Sequence, residues 1–297
     1  MTDWPIGLST GCFYHQSILD CLPVIRESGF STIEICSSPT HLDYHDPAIV
    51  RRAAVRIQEL GMEAYSFHAP FADNIDIASS DDAQRNAALA EVLQAAEAAA
   101  VLRVHYFVIH PGPEHPAETS GEEQLARMRN VVTTLNEVAH RCRELGIMCV
   151  LENKLPHLLF GNTSDILWIL DAINTAEVGA CLDTGHAFLA GDMQSLVKKL
   201  RGHLKMVHAH DNGGMRDDHF PPGDGRIDWE AMLRDLMNIE FRGALMLEMA
   251  GQADANVTMA NARRGRQYLR EVSRRIALLS IGGDREGPPT PILRQSS

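Results

Sequence analysis

Residues 205–229 read KMVHAHDNGGMRDDHFPPGDGRIDW and join a short strand to a loop that is rich in histidines and carboxylates. Residues 205–210 alternate in character as a β-strand does. Because strand side chains alternate between two faces, His208 and His210 point the same way, with Met206 behind them. Unpaired polar groups at a buried strand end cost free energy. The stretch therefore indicates a bound metal ion or a polar substrate at the end of this strand.

The rest of the chain alternates short apolar runs with helix-like stretches. Strands are predicted at residues 6–9, 32–36, 63–68, 104–110, 147–152, 177–183, 205–210 and 244–248. Helices are predicted at residues 17–28, 47–60, 82–102, 122–145, 165–173, 193–200, 229–237 and 256–279, with Thr163 and Ser164 suited to cap the fifth. The strands are continuously apolar, and no glycine-rich phosphate loop follows the first one. This α/β pattern favours a single-domain (β/α)8 TIM barrel over an open doubly wound sheet.

The predicted barrel covers residues 1–280, and a proline- and glycine-rich flexible tail is predicted at 281–297. Lys and Arg number 27 against 39 Asp and Glu, giving a formal net charge of −12. That balance argues against a nucleic-acid partner, since phosphate binding needs a basic face. The six cysteines form no CxxC pair, and buried free thiols are expected. Without a visible signal segment or bilayer-length apolar run, a cytoplasmic protein with no membrane span is expected.

Six of the eight predicted strands end in a histidine or an acid. In a barrel these ends meet at one mouth, where catalytic groups belong. The residues one step earlier are apolar, so the polar side chains share one face and point inward together. Imidazoles mixed with carboxylates suit Mn²⁺, Zn²⁺, Mg²⁺ or Co²⁺. The set comprises His68, His110, Glu152, Asp183 with His186, His208 with His210, and Glu248.

Any one of these residues also has a simpler explanation. A single histidine at a strand end is more often a structural group than a ligand. Glu152 alone is equally consistent with an ion pair to Lys154. The prediction of a metal centre therefore depends on the whole set.

Several short motifs match a known superfamily from the second strand to the eighth. They are IEI (33–35), HAPF (68–71), IHPG (109–112), LEN (151–153), LDTGH (182–186), HAHDN (208–212), DDHFPPGDG (217–225) and LE (247–248). Together they resemble the xylose isomerase-like TIM-barrel superfamily, which holds sugar (phosphate) isomerases and epimerases together with the endonuclease IV type of AP endonuclease. The resemblance covers almost the whole domain, and members of this superfamily often form homo-oligomers.

The resemblance implies one divalent ion, with Mn²⁺ expected and Zn²⁺, Mg²⁺ or Co²⁺ as alternatives. Its implied ligands are Glu152, Asp183, His208 and Glu248. His208 fits the family pattern H-x-x-D. The tagatose/psicose-epimerase pattern, H-x-H followed six residues later by Arg, selects His210 with Arg216 instead. The sequence leaves this choice open.

The first functional hypothesis is a sugar isomerase or epimerase acting on a keto-sugar or polyol. The metal would acidify the α C–H, and Glu152 and Glu248 would remove and return the proton from opposite faces. Loss of a β-hydroxyl from the same enediolate would instead make the protein a dehydratase on an inosose-like substrate. The residues expected to contact substrate are His68, His110, His186, His210, Arg216, Asp217 and His219.

The second hypothesis is an endonuclease IV-type phosphodiesterase for abasic DNA, which needs three Zn²⁺ ions. The resemblance supplies three ligand sets: His68, His110 and Glu152; Asp183, His208 and Glu248; and His186, Asp217 and His219. Against it, the predicted mouth loops carry Lys154 and Arg216 but many acids. These acids are Asp73, Asp76, Asp81, Asp82, Glu114, Glu118, Asp217, Asp218 and Asp224. Such a rim repels a duplex, so the isomerase or epimerase is favoured, with an unphosphorylated substrate.

Overall fold

The computed structural model describes residues 4–114, 116, 121–173 and 178–283. Parallel strands close into a barrel in which each strand pairs with its sequence neighbours and the first pairs with the last. The strands are β1 (Ile6–Ser9), β2 (Thr32–Cys36), β3 (Glu63–His68), β4 (Tyr106–Ile109), β5 (Met148–Glu152), β6 (Val178–Asp183), β7 (Leu204–Ala209) and β8 (Ala244–Leu247). The predicted (β/α)8 barrel is confirmed.

Helices surround the barrel and begin where the sequence provides caps. They are α1 (Ile18–Glu27), α2 (Pro47–Glu59), α3 (Asp82–Val101), α4 (Gly121–Glu144), α5 (Thr163–Ala172), α6 (Thr184–Ala190), α7 (Met193–Lys199), α8 (Trp229–Asn238) and α9 (Ala255–Gly283). Ser17, Asp46 and Asp81 each accept a first-turn N–H, which satisfies one of the donors left free at a helix start.

Three details differ from the sequence predictions. The cap of α5 is Asn162, which makes no side-chain capping bond, so the prediction of Thr163 and Ser164 as caps is wrong. Helix α6 was not predicted, because its seven residues are too few to show a hydrophobic period. Helix α9 continues through 281–283, where the flexible tail was predicted to begin, and the rest of that tail lies outside the described residues. Residue 177, at the predicted start of the sixth strand, also lies outside them.

The strands divide their side chains between two cores. One core fills the space between the barrel and the helices and contains Ile109, Leu151, Leu182 and Leu247. The other fills the inside of the barrel and contains Val108, Val150, Cys181, Met206 and Met246. The predicted parity is therefore confirmed, and the polar strand ends lie on the inward face above an apolar plug. The six cysteines are free, and all but Cys36 are buried.

Within the described part of the chain, no helix combines the length and apolarity that crossing a bilayer requires.

Candidate metal centre and active site

Four predicted ligands meet at the carboxyl end of the barrel. Glu152 ends β5, Asp183 ends β6, His208 lies near the end of β7, and Glu248 follows β8. One donor atom from each lies within 4.8 Å of the other three. Glu152, Asp183 and His208 are almost completely buried, whereas the Glu248 side chain is 25% exposed. We call these four residues the quartet.

The two candidate histidines at the end of β7 occupy different places, with His208 inside the strand and His210 just after it. His208 Nδ1 lies 2.9 Å from Glu152 Oε1 and 2.9 Å from Glu248 Oε2, inside the quartet. His210 Nε2 instead contacts Asp183 Oδ2 at 2.8 Å, and its ring stacks on His219 with 4.0 Å between centroids. The geometry therefore assigns His208 to the quartet and His210 to a neighbouring group.

Two further groups adjoin the quartet. His68 Nε2 and His110 Nε2 lie 3.3 Å and 3.2 Å from Glu152 Oε2, so Glu152 belongs to both the quartet and this group. The other group brings donor atoms together within 4.8 Å from His186, His210, Asp217 and His219. The structure thus gathers every predicted ligand and substrate residue at one mouth except Arg216.

Main-chain carbonyls orient three of these imidazoles. Nδ1 of His68, His186 and His219 lies 2.9 Å from the carbonyl oxygens of Ala69, Asn153 and Glu248, respectively. An Nδ1–H that donates to a carbonyl leaves Nε2 directed at the carboxylates. A backbone acceptor of this kind fixes the tautomer of histidines that bind metal.

Buried polar atoms without a hydrogen bond test whether the residues fit a cation. Among the described residues, eight buried side-chain N or O atoms lack a hydrogen bond, and five belong to the three groups. These five are His110 Nε2, Glu152 Oε2, His210 Nδ1, Asp217 Oδ1 and Glu248 Oε2. Each lies within 4.0 Å of a histidine nitrogen or a carboxylate oxygen without forming a hydrogen bond, so each has capacity left for a bound cation. The donors are oxygen and imidazole nitrogen, so the residues fit a divalent ion.

A buried carboxylate holds the loop that supplies Asp217 and His219. Asp211 accepts hydrogen bonds from the amides of Asn212, Gly223 and Ile227 at 2.9–3.1 Å and from Trp229 Nε1 at 2.8 Å. Its main chain also bridges to Phe220. Asp211 therefore holds together residues 212–229, the stretch that carries Asp217 and His219.

Lys154 and Arg216 do not reach the quartet. Lys154 is buried and donates to the carbonyls of Gly112 and Pro113, 3.3 Å from Glu114, so the alternative ion pair with Glu152 is not formed. The Arg216 side chain is 85% exposed, and its Nε lies 3.8 Å from Asp218 Oδ1. Arg216 therefore makes no contact with the quartet, and its role in substrate binding stays a prediction.

The predicted acidic rim needs two adjustments. Asp76 is not a rim residue, because it is buried and paired with Arg127 at 2.5 Å. Glu118 lies outside the described residues.

One inward-facing acid was missed by the sequence reasoning. Glu34 lies in the middle of β2, is completely buried, and places Oε2 2.8 Å from His208 Nε2. A signal was available, because Glu34 is an acid flanked by Ile33 and Ile35 in the middle of a predicted strand.

Charge pairing dominates the electrostatics of the metal-free site. Burial lowers the pKa of His68, but Glu152 outweighs it and raises that pKa to about 9. Burial also lowers the pKa of His186 and of His219. Asp183 and Asp217 outweigh it at His186 and raise that pKa to about 10. Asp217 outweighs it at His219 and raises that pKa to about 9. The carboxylates respond in the opposite sense. Burial raises the pKa of Glu152, and His208 and His110 lower it well below its ordinary value.

These shifts predict how the stability of the metal-free protein depends on pH. His68, His186 and His219 have raised pKa values, so their stabilising effect is complete below pH 6.5 and is lost as the pH rises through about 9–10. The free energy of unfolding in EDTA should therefore fall over this range. The free energy of unfolding of the Zn²⁺-saturated protein should instead rise with pH at the start of this range, because metal binding needs deprotonated imidazoles. Urea denaturation measures both slopes, and identical slopes would contradict the assignment of these three histidines to metal-binding groups.

A cavity of about 670 Å³ opens beside the quartet on the side of β1, β2 and β3. His68, His219 and Glu248 contribute to its lining, so it reaches the metal groups. Phe71 and Tyr14, which are 50% and 46% exposed, also line it. Among the described residues, its lining contains no lysine or arginine.

Known proteins resemble the chain in sequence and in structure. An uncharacterized protein of Methanocaldococcus jannaschii is 30% identical over 261 residues, covering 85% of this chain and 86% of that protein. A probable endonuclease 4 of Mycobacterium marinum is 26% identical, covering 86% of this chain and 96% of that protein. The crystal structure of a D-tagatose 3-epimerase-like protein superposes with a TM-score of 0.81 at 26% identity, covering 93% and 99% of the two chains.

The family match extends over most of the barrel. The family model described as xylose isomerase-like TIM barrel matches residues 22–272, which include all four members of the quartet. The expected resemblance is confirmed at this level: the chain belongs to the xylose isomerase-like TIM barrel family.

Proposed function

We propose that the protein is a divalent-metal-dependent epimerase or isomerase of an unphosphorylated keto-sugar or polyol. The observation that carries this proposal is that Glu152 and Glu248 each hold a carboxylate oxygen 2.9 Å from His208 Nδ1, beside a cavity. Two acids, one at the end of β5 and one directly after β8, thereby approach the same imidazole nitrogen. The similarity to a D-tagatose 3-epimerase-like protein supports the same reaction class.

The quartet residues would hold the cation, and a bound divalent ion would polarise a substrate carbonyl and stabilise negative charge beside it. Glu152 and Glu248 would move the proton. The pKa of Glu152 is low, as described above. Burial raises the pKa of Glu248, but His208 lowers it by more. Both carboxylates are therefore ionised at neutral pH. One acid therefore begins as the base that removes the α proton. The other acid would take up a proton from solvent and deliver it to the opposite face, which would invert the carbon.

The lining of the cavity supports the substrate class. Phosphate groups are bound by Arg, Lys or helix N-termini, and no cationic Lys or Arg side chain from the described residues lines this cavity. Phe71 and Tyr14 offer apolar faces to the C–H surface of a sugar, while Ser38 and Asn74 offer hydrogen-bonding groups. An uncharged polyhydroxylated ligand matches this lining.

Solvent isotope exchange tests the proposal. The Mn²⁺-loaded protein is incubated in D₂O with a panel of ketohexoses and ketopentoses, and deuterium is followed by proton NMR. Incorporation at a carbon next to the carbonyl, abolished by EDTA and restored by Mn²⁺, is the expected result. Absence of exchange and of product across the panel, with metal bound at the quartet, would contradict it.

A second candidate function is favoured by one observation. Besides the quartet, the His68–His110–Glu152 and His186–His210–Asp217–His219 groups also present clustered donors, as a three-zinc phosphodiesterase requires. The similarity to a probable endonuclease 4 points the same way. Against it, Lys154 is buried with its ammonium on main-chain carbonyls, and Arg216 is exposed with Asp218 3.8 Å away, so neither contacts the three donor groups where a phosphate would bind.

Zinc content and DNA cleavage decide between the two candidates. The favoured account predicts that the Zn²⁺-loaded protein leaves a duplex with one abasic site intact. Three tightly held zinc ions per chain, together with chelator-sensitive cleavage at the abasic site, would select the nuclease.

A further inference from the structure

We propose that Glu34, supported by Ser66, is the positioning residue that fixes the tautomer and orientation of His208 in the metal centre. Glu34 Oε2 lies 2.8 Å from His208 Nε2 and accepts a hydrogen bond from Ser66 Oγ at 2.8 Å. All three side chains are completely buried inside the barrel. This inference rests on the metal-binding part of the proposed function and not on its reaction.

Glu34 determines which ring nitrogen of His208 carries the proton. A neutral imidazole has one N–H and one lone pair, and a metal binds the lone pair. With the N–H on Nε2 donating to Glu34, Nδ1 directs its lone pair toward the point shared by Glu152 and Glu248. The other tautomer would set a lone pair against the Glu34 carboxylate.

Without Glu34, the other acids would favour the wrong tautomer. Glu152 Oε1 and Glu248 Oε2 both lie 2.9 Å from Nδ1, and both would draw the imidazole proton to that nitrogen. A carboxylate on the far side of the ring opposes this pull. Carboxylate–histidine–metal arrangements of this kind raise ligand basicity and hold the ring orientation.

A purely structural role explains Glu34 poorly. Its Oε1 has no hydrogen-bond partner, so the carboxylate does not complete a satisfied polar network. An apolar residue at this position in the middle of an apolar strand would avoid the cost of burying a charge. Among the described residues, the polar contacts of this carboxylate are those of Oε2 with His208 and Ser66.

Metal affinity, measured without substrate, tests the proposal. Wild type, Glu34→Gln, Ser66→Ala and the control Asp76→Asn are titrated with Zn²⁺ against a chromophoric chelator. Asp76 is also a buried carboxylate, but it pairs with Arg127. Losses of about 10–100-fold for Glu34→Gln and about 10-fold for Ser66→Ala are expected, since removal of such outer partners has effects of this size. Asp76→Asn should retain wild-type affinity.

A spectroscopic readout separates positioning from general destabilisation. In the zinc-loaded wild type, ¹⁵N NMR of His208 should show a metal-bound Nδ1 and a protonated Nε2, and Glu34→Gln should alter the Nε2 resonance.

Affinities within twofold of wild type for both Glu34→Gln and Ser66→Ala would overturn the proposal, as would a metal on Nε2. Ser66→Ala and the wild-type spectrum carry the test if Glu34→Gln does not fold. A wild type that binds no divalent ion overturns this inference and the proposed function together. Metal binding without isotope exchange overturns the proposed reaction alone.

Discussion

Glu152→Gln is expected to slow solvent deuterium exchange into the ketose substrate by about 10²–10⁴-fold, the range that general acid–base catalysis contributes. The amide keeps the size of the side chain but can neither remove nor return a proton. Glu248→Gln should have an effect of the same order, because the proposed reaction uses both acids. Proton NMR of the substrate in D₂O, with Mn²⁺ in excess to maintain occupancy, measures the exchange rate.

A control variant distinguishes the loss of a catalytic glutamate from the general effect of replacing a glutamate with glutamine. Glu63→Gln removes an exposed carboxylate at the opposite end of the barrel, where it pairs with His105, and should exchange at the wild-type rate. Metal content is measured for each variant, because both acids also belong to the quartet. If Glu152→Gln and Glu248→Gln bind metal and exchange normally, the two-acid mechanism is wrong.

Asp211→Ala is expected to lower the free energy of unfolding by about 3 kcal/mol or more, since hydrogen bonds to a charged group contribute about 1.5–3 kcal/mol each. Four donors would be left in a buried environment, three of them main-chain amides. Urea denaturation of the metal-free protein at pH 7 measures the change.

Asp228 provides the matched comparison for Asp211. It lies in the same stretch and caps α8 by accepting from the Ala231 amide, at an exposed position. Asp228→Ala should cost about 1 kcal/mol, as helix caps do. An Asp211→Ala variant that is no less stable than Asp228→Ala would show that the loop is held by other contacts.

The sequence predicted the barrel because its strands carry a local signal. Each apolar run ends near a turn or a polar residue, and the parity of Ile109, Leu151 and Leu182 revealed which face was inward. The same parity predicted that Glu152 and Asp183 share one mouth. The geometry of a closed barrel then brings distant strand ends together without further information.

Contacts that depend on loop paths and ring orientation were beyond the sequence. His208 and His210 share a strand face, so alternation alone cannot say which one reaches the quartet. Lys154 and Arg216 follow mouth strands but turn to carbonyls and to solvent, respectively. The acid inside the apolar motif IEI signals a buried charge at Glu34, but the motif does not show that its partner is His208.

Anomalous diffraction from crystals soaked in MnCl₂ or ZnCl₂ tests the central claim most directly. The account predicts a strong peak about 2.0–2.3 Å from donor atoms of Glu152, Asp183, His208 and Glu248, as zinc-type coordination requires. A protein whose metal peaks lie only among His68 and His110, or only among His186, Asp217 and His219, with none inside the quartet, would contradict it.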